Sequence, residues 1–362
     1  MAVSRKKICF IAQFPPPMHG LSKAVETLYN SRLSQEFDFE KINITNNKLF
    51  LKNLNLIRKS KADLFYFTIS QTKGGNFRDL LIFKLLRRQR KKCLIHLHGG
   101  YYRQLVDNNM GAWQRKANYR AISKLDGAIV LGESLKPIFK GMIPDDKIYV
   151  VPNCVDDQYL MSDDEFNEKV RTLENRKIRH VLYLSNFIRS KGYPEVLEMA
   201  KLEKERVEAG GERKLYFDFA GRFFEKHEED YFNGYIKDNK LEEYVKYHGV
   251  VGGDKKRKLL KESDVFVLLT RYPNEGQPIS ILEAMGNGMV IVTTDHAGIS
   301  DIVEDGVNGF CFSKSQYSSK LAYAKILKSS YRELEINGRV KVMKKYTQRD
   351  YIDTFERIFG GG

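Results

Sequence analysis

Residues 265–293 read VFVLLTRYPNEGQPISILEAMGNGMVIVT. The apolar run at 265–269 opens this stretch and VIVT at 290–293 closes it. Short runs without polar alternation read as strands buried on both faces, as in a parallel sheet. Between them Gly276 and Pro278 mark a loop, and Ser280 is placed to cap a helix that starts just after it. Glu275 then lies in a strand-to-helix loop, and Glu283 lies about a turn into the helix, eight positions on. Open α/β sheets bind ligands there, outside the carboxyl ends of their strands. Backbone amides of the 276–280 turn, with the helix dipole, suit an anion. Carboxylates on either side can accept hydrogen bonds from sugar hydroxyls. The spacing alone also fits two unrelated surface glutamates around an ordinary helix start.

Outward from this stretch the pattern repeats. Strands are expected in KKICFIAQF near the start, and at 62–70 (ADLFYFTIS), 93–98 (CLIHLH), 127–131 (GAIVL) and 148–151 (IYVV). After a polar segment at 153–179, read as a linker plus a helix, they resume at 180–184 (HVLYL), 215–220 (LYFDFA), 245–248, 265–269 and 290–293. Helical patterns begin at Ser22, at Phe77 and after Lys191, and a last one covers 351–359 with a surface-like charge pattern. The final three glycines read as a flexible end. Alternating strands and helices make this an α/β chain, and 362 residues suit two domains. The expected division is 1–165 and 166–345, with 346–362 packing back on the first.

Composition excludes several classes. Cys9, Cys93, Cys154 and Cys311 are far apart and form no CxxC pair, so they read as reduced thiols and not as a zinc site or a disulfide framework. The short apolar run after the basic start ends in Pro15–Pro17, which fits neither a signal peptide nor a membrane span. The expected location is cytoplasmic, peripheral at the inner face of the membrane. Charge is one-sided. Residues 1–160 hold 27 Lys and Arg against 13 Asp and Glu, whereas the rest hold 34 against 33. A basic half implies an anionic partner. The run Arg87-Arg88-Gln89-Arg90-Lys91-Lys92 after the Phe77 helix, and Arg103, Arg115, Lys116, Arg120 and Lys124 around Trp113, suit anionic lipid. They equally fit an ordinary helix with a charged outer face. No nucleic-acid-binding module is present, so nucleic acid is not an expected partner.

The 274–285 segment resembles the E-x7-E signature of family 4 of the retaining glycosyltransferases, in its form E-G-x-P-x-x-x-x-E-A. Its flanks are similar too, through 286–293, Asp295 to Ile299 and Glu304 to Phe310. The stretch Val150-Val151-Pro152-Asn153-Cys154-Val155-Asp156 is similar to the family's interdomain V-x-P-N-G-V-D, with Cys154 in place of glycine. The resemblance spans almost the whole chain. It implies the GT-B architecture, two Rossmann-like domains facing each other across a cleft, with the nucleotide-sugar donor bound by the second.

The resemblance also carries site residues. Ser185 to Gly192 stands where the family has G-R-L-x-x-x-K-G. Lys191 keeps the lysine, Asn186 replaces the arginine, and Arg189 is the candidate to restore that charge against a diphosphate. His98, ahead of Gly99-Gly100, matches the family's histidine near the transferred sugar better than His96 does. Alternation puts the two on one face of the strand. Gly20 lies in the loop after the first strand, where glycine lets backbone approach a ligand, and His19, Ser22 and Lys23 are acceptor-side candidates. Gly221 and Val250 are expected near the nucleotide, and Glu275, Gly276, Gln277, Pro278, Ile279 and Glu283 complete the donor set. His98 and Glu275 carry the catalytic expectation.

The implied reaction moves a sugar from a nucleoside diphosphate sugar to a glycan or lipid-linked acceptor hydroxyl with retention of configuration, in cell-surface polysaccharide, lipopolysaccharide or glycolipid synthesis. No D-x-D triplet occurs, so neither a metal nor another cofactor is expected. A nucleotide-sugar epimerase of the same architecture is the alternative. A nicotinamide dehydrogenase would want G-x-G-x-x-G after a strand, and the first loop has only Gly20.

Overall fold

The structure is a computed structural model that describes residues 5–328 and 330–361. Met1 to Ser4 of the basic start, and Gly362 of the terminal triplet, lie outside them. The chain forms two units, one of Met1–Cys154, Pro273–Gln277 and Arg349–Gly362, the other of Val155–Tyr272 and Pro278–Gln348. Each holds a six-stranded, all-parallel sheet, and the α/β class is as expected.

In the first unit the strands are β1 (Lys7–Ala12), β2 (Asp38–Asn43), β3 (Leu64–Thr68), β4 (Lys92–His96), β5 (Gly127–Val130) and β6 (Ile148–Val150), in spatial order β2-β1-β3-β4-β5-β6. β3 is LFYFT, buried at every position, as central parallel strands require. Helices α1 (Gly20–Tyr29), α2 (Phe50–Lys59), α3 (Lys73–Arg88), α4 (Tyr102–Asn108) and α5 (Ala112–Ile122) connect them. β2 reads DFEKIN and carried no apolar run to betray it. It exists because its backbone completes the edge of β1, in register from Lys7↔Asp38 to Ala12↔Asn43.

The second unit repeats the plan with β7 (Arg179–Leu184), β8 (Leu215–Ala220), β9 (Val245–Tyr247), β10 (Val265–Leu268), β11 (Val290–Thr294) and β12 (Gly309–Phe312), ordered β12-β11-β10-β7-β8-β9. Its helices are α6 (Asp163–Thr172), α7 (Tyr193–Glu208), α8 (Lys226–Asp238), α9 (Gly253–Glu262), α10 (Ile279–Gly286), α11 (Ser319–Lys328) and α12 (Arg332–Lys345). α6 begins with a reciprocal capping box between Ser162 and Glu165. β12 is an edge strand that sequence reading missed; it pairs with β11 from Ile291↔Gly309 to Thr294↔Phe312.

The last helix, α13 (Gln348–Gly360), belongs mainly to the first unit. Its charge pattern looked like surface, but Tyr351, Phe355 and Phe359, four residues apart, are buried in that unit's core. Phe359 meets Phe10 edge-on at 6.1 Å, and the Tyr351 hydroxyl donates to Ala24 O at 3.2 Å. On the opposite face Asp353 and Glu356 pair with Arg32.

Candidate active site

Both sheets change winding direction once. In the second unit β7, β8 and β9 run one way from the centre and β10, β11 and β12 the other, so β7 and β10 flank the switch point at which doubly wound sheets open a crevice. Two loops meet there. After β7 the chain turns through Arg189–Lys191 to Gly192, which has φ of 87°. A Cβ on Gly192 would lie 2.6 Å from Leu269 O, so only glycine lets this loop approach the end of β10 so closely. From the other side Arg271 N donates to Ser190 O at 2.6 Å, and the Lys191 ammonium lies 5.1 Å from the centre of the Tyr272 ring. Lys191 is therefore fixed between the two strand ends.

Arg189 points elsewhere. Its guanidinium stacks on Tyr231 at 4.2 Å and reaches the buried Glu228 carboxylate at 3.3 Å, which also accepts the Tyr193 hydroxyl at 2.5 Å. Its charge is engaged by α8, which weakens its case as the substitute for the family arginine. Asn186 contributes backbone here: its carbonyl accepts the Tyr183 hydroxyl at 2.9 Å.

Beside this crevice Gly221 has φ of 145°, and a Cβ there would fall 1.9 Å from Ser185 O. Gly221 N donates to Gly249 O and its carbonyl accepts the Tyr247 hydroxyl, which ties the ends of β7, β8 and β9 together. Val250 follows, 74% exposed.

α10 begins at Ile279 with Pro278 as N-cap and no side-chain cap, so Ser280 lies inside the first turn and does not cap the helix. Pro278 has φ of −64° and no side-chain acceptor, so the chain enters α10 without a side-chain cap. Glu283, 3% exposed, accepts from Lys256 Nζ at 2.7 Å, and Lys256 sits 4.1 Å over Tyr159. Lys256 thus reaches Glu283 of the expected donor set, a contact that sequence reading did not single out. Nothing in the run Lys255-Lys256-Arg257-Lys258 distinguished it from its neighbours.

In the first unit the switch lies between β1 and β3. At the start of α1, His19 Nδ1 accepts from Ser22 N at 3.3 Å and Ser22 Oγ accepts from His19 N at 2.9 Å. This pair is a capping box built with histidine. Ser22 is fully buried, so two of the three acceptor-side candidates serve the helix start; Lys23 stays partly exposed. A Cβ on Gly20 would meet nothing within 4 Å, which leaves open space where a ligand could approach.

β4 stops at His96, two residues earlier than alternation suggested, and His98 follows in the loop. The two rings lie 3.9 Å apart. His96 is fully buried, with Nδ1 2.6 Å from the Tyr66 hydroxyl. Nε2 of both histidines is buried without a hydrogen-bond partner. Burial, reinforced by nearby His19, pushes the His98 pKa down to about 3, and burial with His98 beside it holds His96 well below its ordinary value. Both are neutral near pH 7, and a neutral imidazole can donate from one nitrogen and accept at the other.

Residues 273–277 pack in this same unit, against the loop after β4. Gly100 N donates to Glu275 O at 2.6 Å, and a Cβ on Gly276 would fall 2.5 Å from His98 O. His98 and Glu275 are thus brought together by backbone. Gln277 is buried and both ends of its amide are engaged. Its Oε1 accepts from Asn153 N at 2.7 Å and its Nε2 donates to Leu131 O at 2.9 Å, while Asn153 Nδ2 donates to Gln277 O at 2.8 Å. Gln277, expected at the donor, is an anchor for the loop that carries Glu275. Asn153 is its partner, visible in sequence only as one letter of the interdomain stretch.

Residues 164–347, half of the chain, match the family model described as glycosyl transferases group 1. The chain belongs to this family. Among curated relatives, it is 29% identical over 136 residues to the amylovoran biosynthesis glycosyltransferase AmsK of Erwinia amylovora, covering 34% of this chain and 33% of that one. It is 27% identical over 122 residues to the putative colanic acid biosynthesis glycosyltransferase WcaL of Salmonella typhimurium, covering 32% and 30%. The matched stretches thus span about a third of the curated relatives' lengths. Among solved structures, that of Anabaena HepE in complex with UDP superposes with a TM-score of 0.74 at 16% identity, covering 99% of this chain and 100% of that one. This likeness shows the fold: two Rossmann-like units of the GT-B kind. Another structure of HepE is in complex with UDP-glucose.

Proposed function

We propose that this glycosyltransferase-family chain is a family 4 enzyme of the E-x7-E type. It transfers a sugar from a nucleoside diphosphate sugar to an acceptor hydroxyl with retention, in the synthesis of a cell-surface polysaccharide or glycolipid. The observation that carries the reading is the β7/β10 switch point, where Gly192 permits the loop approach that fixes Lys191 beside Tyr272. Lys191 and the amides around 276–279 would take the charge that develops on the leaving diphosphate. Glu283, oriented by Lys256, would accept from the ribose. Glu275 would hold donor-sugar hydroxyls, and His98 would contact the sugar near the reacting carbon. The acceptor attacks on the face from which the diphosphate leaves.

HepE, with UDP and UDP-glucose in its structures, supports a nucleotide-sugar donor. The family model and both curated relatives describe glycosyltransferases, which disfavours the epimerase alternative. Protein cations neutralise the diphosphate in this reading, so no metal is required. The basic first unit suits a lipid-linked acceptor at an anionic inner membrane face. No described helix is long and apolar enough to cross a membrane.

The test is release of nucleoside diphosphate from a panel of donor sugars, with and without an acceptor extract and with and without EDTA. One donor should be turned over, faster with acceptor and unchanged by EDTA, and Glu275→Ala and Lys191→Ala should abolish release. Conversion of the donor to its epimer without release would support the alternative.

A further inference from the structure

The carboxyl edge of the first sheet carries a feature that the proposed reaction does not use. Helices α2, α3 and α5 lie side by side on that unit. Their starts are tied together. Arg78 of α3 donates to Asn47 Oδ1, just ahead of α2, at 3.3 Å, and Gln114 of α5 donates to Asn76 Oδ1 of α3 at 3.0 Å. Near its start each helix exposes one large apolar side chain: Leu51 is 79% exposed, Phe77 51% and Trp113 70%. Isolated apolar residues on a surface are ordinary, but neighbouring helix starts that each present one form a patch.

Charge along the stretch that forms α2, α3 and their flanks is also one-sided, counting both ends of the helices. Between Lys41 and Val106 the chain has 15 Lys and Arg and only two acidic residues, Asp63 and Asp79. Asp79 is buried and paired with Arg78 at 2.8 Å. Asp63 precedes β3, at the opposite edge of the sheet, and accepts from Lys7 N. On the α5 side Asp107 is paired with Arg103 at 2.7 Å. Lys48 and Lys52 flank Leu51 in the chain and Lys73 lies one helical turn before Phe77, all three exposed. Exposed apolar side chains with lysines beside them, and with the carboxylates between Lys41 and Asp107 paired or at the opposite edge, match an anionic bilayer, whose headgroups attract the cations while the interface accepts the rings and the leucine.

We propose that this rim docks the first unit on an anionic lipid surface, with Leu51, Phe77 and Trp113 entering the interface and the lysines facing lipid phosphates. The proposal deepens the reading of a lipid-linked acceptor, on which its purpose rests, by naming the surface. It also moves the contact. Arg87 and Arg88 lie about 15 Å along α3 from Phe77, at a rise of ~1.5 Å per residue, and take no part in insertion.

Trp113 is the chain's only tryptophan, so its emission reports this rim alone. The intact protein is mixed with vesicles of phosphatidylcholine, or of phosphatidylcholine with roughly one third phosphatidylglycerol. Blue-shifted emission, quenching by brominated acyl chains and co-sedimentation are expected with the anionic vesicles only. Leu51→Ser with Phe77→Ser, and separately Lys52→Glu with Lys73→Glu, should each weaken partition at least about tenfold. Both double variants should remain folded, with the circular dichroism spectrum of the wild type, because Leu51 and the lysines are exposed and Phe77 is half-exposed. Absence of a shift and of co-sedimentation overturns the proposal, as does undiminished binding by the folded variants. A shift produced by a single-stranded oligonucleotide and not by vesicles overturns it too. The readout needs neither donor nor acceptor. A protein that releases nucleoside diphosphate but ignores anionic vesicles refutes the docking alone; one that docks but turns over no donor refutes the reaction alone.

Discussion

Replacing Gln277 by alanine separates an anchor from a ligand contact. The side chain is 3% exposed and holds Asn153 N at 2.7 Å and Leu131 O at 2.9 Å. Its removal leaves a buried backbone N–H and a buried carbonyl without those partners. Each such group costs about 1–3 kcal/mol, and the truncated volume adds to the loss. Partial relaxation reduces the sum, so we expect Gln277→Ala to lower the stability of the first unit by roughly 2–4 kcal/mol. The consequence for function is indirect. Glu275 lies two residues before the anchor and its carbonyl is held by Gly100 N, so a loosened 273–277 segment should lower kcat. Urea unfolding followed by circular dichroism, with donor-release kinetics on the same preparation, tests both parts. Asn153→Ala should behave similarly, because it removes the reciprocal bond from Asn153 Nδ2 to Gln277 O. A Gln277→Ala protein of wild-type stability whose only defect is a raised donor KM would refute the reasoning and return Gln277 to the donor site.

Four further outcomes are expected. Gly192→Ala combines a left-handed backbone at φ 87° with a Cβ 2.6 Å from Leu269 O, and should cost about 3 kcal/mol in a urea titration; a loss under about 1 kcal/mol would contradict the close approach. His96 and His98 have lowered pKa values in the fold, the latter about 3 against an ordinary 6.5. The His98 contribution is therefore complete above pH 6.5 and lost as pH falls toward 3, by about 1.4 kcal/mol per pH unit, the lowered His96 acts in the same direction, and His98→Gln should flatten the pH dependence of the urea midpoint. Lys256→Ala leaves the Glu283 carboxylate without the ammonium at 2.7 Å and should destabilise the second unit by about 2 kcal/mol, with clear coupling in a double-mutant cycle with Glu283→Gln. Arg189→Ala should change donor release less than about threefold while Lys191→Ala lowers it more than about tenfold, since Arg189 is engaged by Glu228.

The parts of the fold that were legible in the sequence are those dictated by local chemistry. The runs VFVLL and VIVT could hardly be other than buried strands, and the loop between them fell as Gly276 and Pro278 indicated. β2 stayed hidden because an edge strand needs a partner's backbone more than an apolar run. Ser280 misled because capping preference is a weak prior, and Pro278 ends the loop without a polar cap. Within the candidate site, chain position placed Lys191 on a loop and Glu283 about a turn into a helix, and it put His98 at the end of a strand that in fact stops at His96. It did not show that Arg189 faces Glu228, that His19 and Ser22 cap each other, or that Gln277 clasps Asn153. The Gln277–Asn153 contact joins residues 124 positions apart, and such pairings leave no local periodicity to read. Lys169 is a similar case. It lies in the polar 153–179 segment, yet it is buried with its ammonium on Ser263 O at 2.6 Å and Asn287 O at 2.9 Å. Burial raises the Glu335 carboxyl above its ordinary range, an effect that the buried Lys169 ammonium opposes.

The most direct measurement is a calorimetric titration of UDP and of GDP into the intact protein and into Lys191→Ala and Glu283→Ala. The account predicts that one nucleotide binds at one site per chain, and that each substitution weakens it by roughly 10- to 100-fold, the loss of a charge-assisted hydrogen bond. A folded protein that takes up neither nucleotide, or one whose binding survives both substitutions, would contradict the assignment of the β7/β10 crevice as the nucleoside diphosphate site.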